Sequence, residues 1–331
     1  MKLRYLIILF LSTVVTKMQA QVDPHTSQYY MNPLTLNPAM TGNFDGDFRA
    51  SAVFRDQWSS VGMPFKTYAL SVDARTDKNI NLGVNLIQQS AANGGYTFTN
   101  GYVSVAYTGV KFGDNASQHI SLALQGGFVS RRINASLFSF GDQWTSGTGY
   151  SSTNPTADIS IARSSSQFDA GAGILYYNAF SDKTSLFFGG SAFHITRVED
   201  QFTSKASSAA LPARYCLHGG VSFSLNDQVD MIPNFLYMSQ GTASETSLGV
   251  YLKASLNENL ALLGGLNYRV SDAIVPMLGM SYNKLTFGLS YDVNNSSLNK
   301  LVQSPDSFEC SISFKTGKEK TNTDFLRCPS F

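Results

Sequence analysis

The sequence predicts an all-β fold: a transmembrane antiparallel outer-membrane β-barrel of about 14 strands. From Phe48 to Phe314 large apolar residues alternate with small polar ones, and no stretch has a helical period. A period of two gives each strand one apolar and one polar face. Charged residues make up 14% of the chain, whereas roughly 25% is usual for soluble domains. The polar face is rich in Gly, Ser, Asn and Gln, which suits a wet lumen behind a lipid-facing wall.

Residues 1–20 have the pattern of a secretory signal peptide. Lys2 and Arg4 precede an apolar run over residues 5–15, and Ala20 suits the last position before cleavage. A short membrane anchor is the alternative, but the run is shorter than the roughly 20 residues that a spanning helix needs. We therefore expect cleavage near Ala20 and a location in the cell outer membrane.

Residues 21–47 precede the first strand and contain two Asn-Pro steps, Asn32-Pro33 and Asn37-Pro38. Proline disfavours a regular central strand. We expect this N-terminal segment to be a plug inside the barrel or a periplasmic brace.

The predicted barrel occupies residues 48–316, and most of its strands have about the ten residues that a tilted barrel strand needs. The predicted strands are 48–56, 66–75, 80–90, 96–112, 118–130, 167–177, 184–196, 214–225, 229–240, 245–256, 259–269, 273–282, 284–293 and 307–316. Connections after even-numbered strands are short, whereas those after odd-numbered strands are mostly longer, with 270–272 as an exception. Short turns are typical of the periplasmic side, so an even strand count places both termini there.

Residues 317–331 follow the last strand as a polar, periplasmic C-terminal tail. This tail ends in Cys328-Pro329-Ser330-Phe331 and also contains Phe325-Leu326. A purely disordered tail has little use for several large apolar residues. They either fold back onto the barrel rim or bind a periplasmic partner, and the sequence leaves both open.

Catalysis has little support in the sequence. The four histidines form no H-E-x-x-H motif, and no G-x-S-x-G nucleophile elbow is present. We expect no enzymatic activity, cofactor or metal. The net charge of +1 gives no reason to expect a nucleic-acid partner.

Seven charged residues fall on the lumen face by their strand phase. They are Arg49, Arg55, Asp73, Lys253, Arg269, Asp292 and Glu309. One interpretation is an ion-selective or substrate-gating lumen. The other is a closed interior in which the charges pair with one another, since buried charges must be paired. The mixture of both signs favours the closed interior.

The three cysteines fall on different surfaces. Cys216 is in phase with the lumen face, Cys310 is in phase with the lipid face, and Cys328 lies in the tail. Because a disulfide needs close and facing Cβ atoms, we expect no internal disulfide.

A series of short motifs runs along nearly the whole mature chain. It opens with Gln28-Tyr29-Tyr30-Met31-Asn32 and Asn37-Pro38-Ala39-Met40-Thr41-Gly42. It continues with Arg55-Asp56-Gln57-Trp58, Pro64, Ser71-Val72-Asp73, Phe168-Asp169, Gly171, Tyr268-Arg269, Asp272-Ala273, Leu289-Ser290-Tyr291-Asp292, Ser297-Leu298, Glu309 and Cys328-Pro329. In order and spacing these motifs resemble the PorP/SprF family of type IX secretion membrane proteins. Departures from the family pattern are Met40-Thr41, Val198 and Ser330.

The resemblance implies an outer-membrane protein of Bacteroidota without a cofactor. Its implied partners are outer-membrane lipid, periplasmic type IX secretion components such as a lipoprotein and ring, and a secreted or surface-displayed cargo such as a gliding adhesin. The candidate partner-binding residues are Asn37, Pro38, Trp58, Phe325, Cys328, Pro329 and Phe331.

The function expected from the sequence is to couple export or surface attachment of a cargo protein to the periplasmic machinery. The alternative is an outer-membrane transporter or porin for small, hydrophobic molecules. A weaker alternative is an outer-membrane hydrolase with a Ser, a His and an acid near the barrel rim.

Overall fold

The structure, a computed structural model, describes residues 23–61, 63–154, 156, 164–199, 210–296 and 306–316. The predicted signal peptide at 1–20 lies outside the described residues. So does the tail 317–331, with its candidate residues Phe325, Cys328, Pro329 and Phe331.

In the described ranges, fourteen antiparallel strands close into one barrel. Each strand pairs with the barrel strands before and after it in the sequence, and the first strand pairs with the last. The barrel strands are β1 (Phe48–Gln57), β2 (Phe65–Ala74), β3 (Ile80–Ala91), β4 (Tyr96–Phe112), β5 (Gln118–Ile133), β8 (Ser164–Ser181), β9 (Thr184–Phe193), β10 (Arg214–Ser224), β11 (Val229–Gln240), β12 (Ala243–Asn257), β13 (Leu260–Arg269), β14 (Ala273–Tyr282), β15 (Leu285–Asn294) and β16 (Ser307–Thr316). A separate hairpin between β5 and β8 consists of β6 (Trp144–Thr145) and β7 (Gly149–Tyr150). One short α-helix spans Pro33–Leu36, and the 3₁₀ turns are Pro38–Met40, Ser59–Val61, Ala92–Gly94, Asp114–Ala116, Ala135–Leu137 and Gly141–Gln143.

The predicted fold class is therefore confirmed, and the strand bounds agree to within a few residues. The largest difference is at β8, which extends three residues before and four residues after the predicted 167–177. Pairing with β5 extends this strand, because Ser164 still lies opposite Arg132. β1 and β16 close the wall from Phe48 opposite Thr316 to Gln57 opposite Ser307. Closure leaves the barrel without an unpaired sheet edge.

The apolar face of the wall points outward. Leu289 is 54% exposed, whereas its neighbour Ser290 is 4% exposed and faces the lumen. The same alternation holds along β5, where Leu122 and Leu124 are exposed and Ser121 is buried. An apolar exterior over a polar interior is the arrangement that a lipid environment favours. No helix among the described residues is long and apolar enough to cross a membrane.

The two ends of the barrel differ. The short-turn end contains the start of β1, the end of β16 and turns of two to five residues at 75–79, 113–117, 182–183, 225–228, 258–259 and 283–284. The loop end contains the connections 58–64, 92–95, 134–163, 194–213, 241–242, 270–272 and 295–306. Besides 270–272, the connections 92–95 and 241–242 are also as short as turns. The connection 241–242 can turn the chain with only two residues because Gly241 adopts a left-handed backbone with φ +59°.

The barrel core is built around the chain's own N-terminal residues. We name residues 23–44 the lumen segment, because almost all of them are buried inside the wall. Its Tyr29, Tyr30, Met31, Leu36 and Met40 share one buried apolar cluster with wall residues. The lumen at this level is therefore packed with side chains, which differs from the wet lumen expected from the polar inner face.

Candidate functional site in the filled lumen

The lumen segment crosses the barrel from one end to the other. The backbone N–H of Asp23 donates to Oε1 of Gln240, at the loop end of β11, over 2.8 Å. At the short-turn end, the N–H of Asp47 donates to the carbonyl of Thr316 over 2.7 Å. The segment therefore enters β1 at the short-turn end and has its amino end at the loop end.

The two Asn-Pro steps give the lumen segment its compact shape. Pro33 begins the helix Pro33–Leu36, where a missing N–H costs nothing because the first helical N–H groups have no partner in the helix. Asn37 ends that helix and caps the 3₁₀ turn Pro38–Met40, since its Oδ1 accepts from the N–H of Ala39 over 2.9 Å. These local turns keep the backbone groups satisfied without a strand partner.

The wall has a recess that fits the Asn37-Pro38 corner. Nδ2 of Asn37 donates to the carbonyl of Ile174 over 3.0 Å and lies 3.1 Å from Nε2 of His218. Gly173 makes the recess possible, because a Cβ there would lie 2.1 Å from Oδ1 of Asn37. In this chain, the Asn37-Pro38 motif therefore makes an intramolecular contact.

Asn37 and Pro38 are two of the predicted partner-binding residues, and in the structure they contact the barrel's own wall. Asn37 is fully buried, and Pro38 is buried beside it. Neither residue is accessible to a partner while the lumen segment stays in place.

A chain of buried polar groups holds the amino end of the lumen segment. Nδ1 of His194 lies 2.6 Å from Oδ2 of Asp169, and its Nε2 bonds to Oδ2 of Asp23. Asp169 also accepts from the hydroxyl of Tyr102. Oδ1 of Asp23 accepts from the side-chain amide of Gln240 over 3.1 Å.

The charges of His194 and Asp23 depend on each other. Burial alone would lower the pKa of His194, but Asp23 and Asp169 outweigh it and raise the pKa to about 9. Burial would likewise raise the pKa of Asp23, but His194 and Arg214 outweigh it and hold that pKa well below its usual value. At neutral pH the contact is therefore an imidazolium between two carboxylates.

A second network joins four of the predicted lumen charges in the loop-end half of the wall. Arg55 pairs with Glu309 and, over 2.8 Å, with Asp292. Arg269 pairs with the same oxygen of Asp292 over 2.8 Å. The lumen segment adds to this network through Ser27, whose N–H donates to Glu309 over 2.6 Å.

A third ion pair lies near the short-turn end. Arg49 donates two hydrogen bonds to the carboxylate of Asp73, of 2.9 and 2.8 Å, and both side chains are almost fully buried. Asp73 also accepts from the N–H of Gly42 over 2.7 Å. The remaining predicted lumen charge, Lys253, is half-buried and lies opposite Asp230 in the register of β11 and β12.

Trp58, the other described candidate for partner binding, lies at the loop end. It is half-buried, its N–H donates to the carbonyl of Asp306, and its ring packs edge-on against Phe65 at 5.6 Å. The hairpin of β6 and β7 presents two further aromatic rings at this end. Trp144 is 61% exposed and Tyr150 is 41% exposed, with ring centroids 5.8 Å apart.

Sequence reasoning missed the residues that hold the amino end of the segment. Asp169 stood within a family motif, but strand phase did not single it out. Asp23 lies outside the barrel strands, where no periodicity reports its position. His194 falls within the predicted strand 184–196, but in the structure this strand ends at Phe193, so its phase does not apply to His194. The positive φ of His194, +57°, becomes visible only in the structure. The two cysteines that the structure describes, Cys216 in the lumen and Cys310 on the outer face, are both free.

Comparison with known proteins agrees with the motif series and with the fold. The sequence profile of a family described as type IX secretion system membrane protein PorP/SprF matches residues 18–314. No curated protein sequence matches the chain.

Among solved structures, the fold is similar to the Pseudomonas putida toluene transporter TodX. The TM-score is 0.55 at 10% identity, over 89% of this chain and 95% of that one. The CymD monoaromatic hydrocarbon channel is similar with a TM-score of 0.52 at 12% identity, over 88% and 94% of the two chains. At such low identity the likeness shows the fold alone.

Proposed function

We propose that this chain, which belongs to the PorP/SprF family of type IX secretion membrane proteins, couples export or surface attachment of a cargo protein to periplasmic machinery. It would act as an outer-membrane binding platform and not as an enzyme. Its partners would be outer-membrane lipid, a periplasmic lipoprotein or ring component, and the cargo.

The observation that carries this proposal is the filled lumen. The lumen segment packs against the wall through the shared apolar cluster. It also bonds to His194, to Glu309 and to Asp73, one residue in each of the three groups of buried charges described above. Because side chains of this segment occupy the described interior, the barrel offers its two ends for binding. The two ends therefore become the candidate contact surfaces.

The two ends suit different partners. Long loops of bacterial barrels face outward and short turns face the periplasm. The loop end presents Trp144 and Tyr150, and exposed aromatic residues are common anchors of protein interfaces. The short-turn end is where β16 ends at Thr316, so the tail 317–331 starts there. We assign the cargo to the loop end and the periplasmic machinery to the short-turn end.

A transporter of small hydrophobic molecules is the alternative. It needs the lumen segment to leave its position, because that segment occupies the interior. For the hydrolase alternative, His194 is not available to serve a serine, because both of its ring nitrogens bond to carboxylates.

Affinity purification of the tagged full-length protein from its native cells, after mild crosslinking, tests the proposal. We expect a surface or secreted cargo together with periplasmic secretion components. A Trp144→Ala, Tyr150→Ala variant should lose the cargo and retain the periplasmic components. A selective single-channel conductance of the wild-type protein, with neither class of partner recovered, would overturn the proposal in favour of transport.

A further inference from the structure

The first five residues of the lumen segment differ from the rest in how they are held. Residues 23–27 read Asp-Pro-His-Thr-Ser and contain no large apolar side chain. Residues 29–44, by contrast, contribute two tyrosines, two methionines and Leu36 to the buried apolar cluster. Residues 23–27 are therefore held mainly by polar contacts. We name them the polar cap.

The contacts of the polar cap lie at the loop end. Asp23 bonds to His194 and Gln240, and Ser27 bonds to Glu309. His25 lies 2.9 Å from Glu245, and both of these side chains are partly exposed. The inner part of the segment continues covalently into β1 and packs against the wall. A movement that releases the polar cap therefore leaves the apolar part in place.

The wall residues around the polar cap keep many of their own partners. Arg55 and Arg269 remain paired with Asp292 on β15, and His194 remains bonded to Asp169 on β8. Since leaving a buried charge without a partner is the expensive step, removal of the cap leaves the wall charges largely satisfied. The polar cap can therefore leave its position without leaving most of the wall charges unpaired.

The pocket that holds the Asp23 side chain is a built carboxylate site. It offers the imidazole of His194, the amide of Gln240 and the guanidinium of Arg214, each at most 5% exposed. Arg214 lies 3.7 Å from the Asp23 carboxylate, and within the described residues its Nε has no hydrogen-bond partner. The pocket therefore has donor capacity beyond what Asp23 uses.

We propose that the loop-end pocket of His194, Arg214 and Gln240 is an exchangeable carboxylate-binding site. Asp23 occupies it in the resting barrel, and an acidic peptide from the partner at the loop end replaces Asp23 when it binds. The identification of that partner as the cargo rests on the proposed function, whereas the site and its exchange stand on the contacts above.

A cysteine introduced by Ala243→Cys provides a reporter for the exchange. Ala243 lies opposite the pocket residue Gln240 in the register of β11 and β12 and is 7% exposed. Cys310→Ser and Cys328→Ser remove the other reactive thiols, whereas Cys216 stays covered in the apolar cluster that remains in place. The rate at which a small, water-soluble thiol reagent modifies the introduced cysteine reports whether the pocket is covered.

In this background, Asp23→Asn should raise the modification rate of the cysteine introduced at position 243 at least tenfold over the otherwise identical protein. Asp227→Asn is the matched control, because Asp227 is exposed at the short-turn end, and it should leave the rate unchanged. An Asp23→Asn rate equal to the control would overturn the proposal. His194→Asn gives the same test if the first variant folds poorly, because asparagine tolerates the left-handed backbone at that position.

The ligand is tested with two synthetic peptides of residues 22–26, one with the native aspartate and one with asparagine in its place. The aspartate peptide should restore at least fivefold protection of the cysteine introduced at position 243 in the Asp23→Asn variant, and the asparagine peptide should not. Equal protection by both peptides, or protection by neither, would reject a carboxylate site. Cargo recovery in the purification experiment does not depend on this result, so the two proposals can fail separately.

Discussion

Arg49 on β1 and Asp73 on β2 lie directly opposite each other in the register and share two hydrogen bonds inside the barrel. Removing one partner leaves the other charge buried and unpaired. We expect Asp73→Ala to lower the free energy of unfolding by about 3–5 kcal/mol. Urea unfolding in detergent or lipid provides the measurement. The double variant Arg49→Met, Asp73→Leu should lower the free energy of unfolding much less, because it leaves no unpaired charge. An equal decrease for the single and double variants would show that the unpaired charge does not cause the destabilisation.

The faces of β15 predict opposite outcomes for neighbouring positions. Leu289 points to lipid, so Leu289→Arg should destabilise the wall by about 2–4 kcal/mol if it lies near the bilayer midplane. Ser290 points to the lumen, where an open interior would accept arginine. The structure shows instead that its hydroxyl accepts from the amide of Gln28 over 3.1 Å. Ser290→Arg should therefore displace the lumen segment and increase the labelling of Cys216. Urea unfolding measures the free energy of unfolding of both variants. A greater decrease for Ser290→Arg than for Leu289→Arg would show that the wall cannot stay folded when the lumen segment is displaced.

The difference between the two ends predicts the orientation in the membrane. Cysteines introduced at Ser152 should react from outside intact cells, whereas cysteines at Asn226 and Asn283 should not. An epitope placed directly before Asp23 should be detected on the same side as Ser152, because the lumen segment has its amino end at the loop end. Detection of the epitope only after the outer membrane is opened would contradict this path.

The imidazolium at His194 predicts a dependence of stability on pH. It faces Asp23 from the lumen segment and Asp169 from β8, with Tyr102 and Arg214 bonded or paired to those carboxylates. The folded protein holds this proton up to about pH 9, whereas an ordinary histidine loses it near 6.5. The stabilisation is therefore complete below pH 6.5 and is lost as the pH rises through 9.

The difference in unfolding free energy between wild type and His194→Asn measures this effect. It should be larger at pH 6 than at pH 10. The carboxylate of Asp23, whose pKa is lowered, gives a contribution that is present above pH 3.8 and lost as the pH falls further. A difference that does not vary between pH 6 and 10 would mean that the pKa of His194 is not raised in the folded protein.

The C-terminal tail predicts a separation of barrel folding from export. Phe325 and Phe331 lie beyond β16, which already closes the wall against β1. Deletion of 321–331 should leave a barrel that inserts and resists surface protease, while cargo export is lost. The measurement compares exported cargo with the amount of folded barrel in the membrane. Normal export by the truncated protein would reject a docking role. Loss of the barrel would show instead that the tail folds back onto the barrel rim and stabilises it.

Much of the wall could be predicted from the sequence because its rule is local. Alternation with a period of two assigns each side chain to a face, as for Leu289 and Ser290, without knowledge of distant residues. The same phase placed Arg49, Arg55, Asp73, Arg269, Asp292 and Glu309 on the lumen face, where the structure shows them buried.

The contacts of these charges could not be predicted in the same way. Ser27 bonds to Glu309 across 282 positions of sequence, and Asp23 reaches Gln240 across 217. Such contacts exist only after the barrel closes and brings the loop ends of distant strands around one lumen.

By itself, the sequence determined the strand count, the apolar exterior and the resemblance to a secretion family, because alternation and motif order are properties of neighbouring residues. Only the tertiary structure decided that Asn37 and Pro38 bind the barrel's own wall, that Asp23 occupies a carboxylate pocket at the loop end, and that the interior is filled. The physical reason is that a segment without periodicity takes its place from the shape and charge of the cavity around it, and that cavity exists only when β1 pairs with β16.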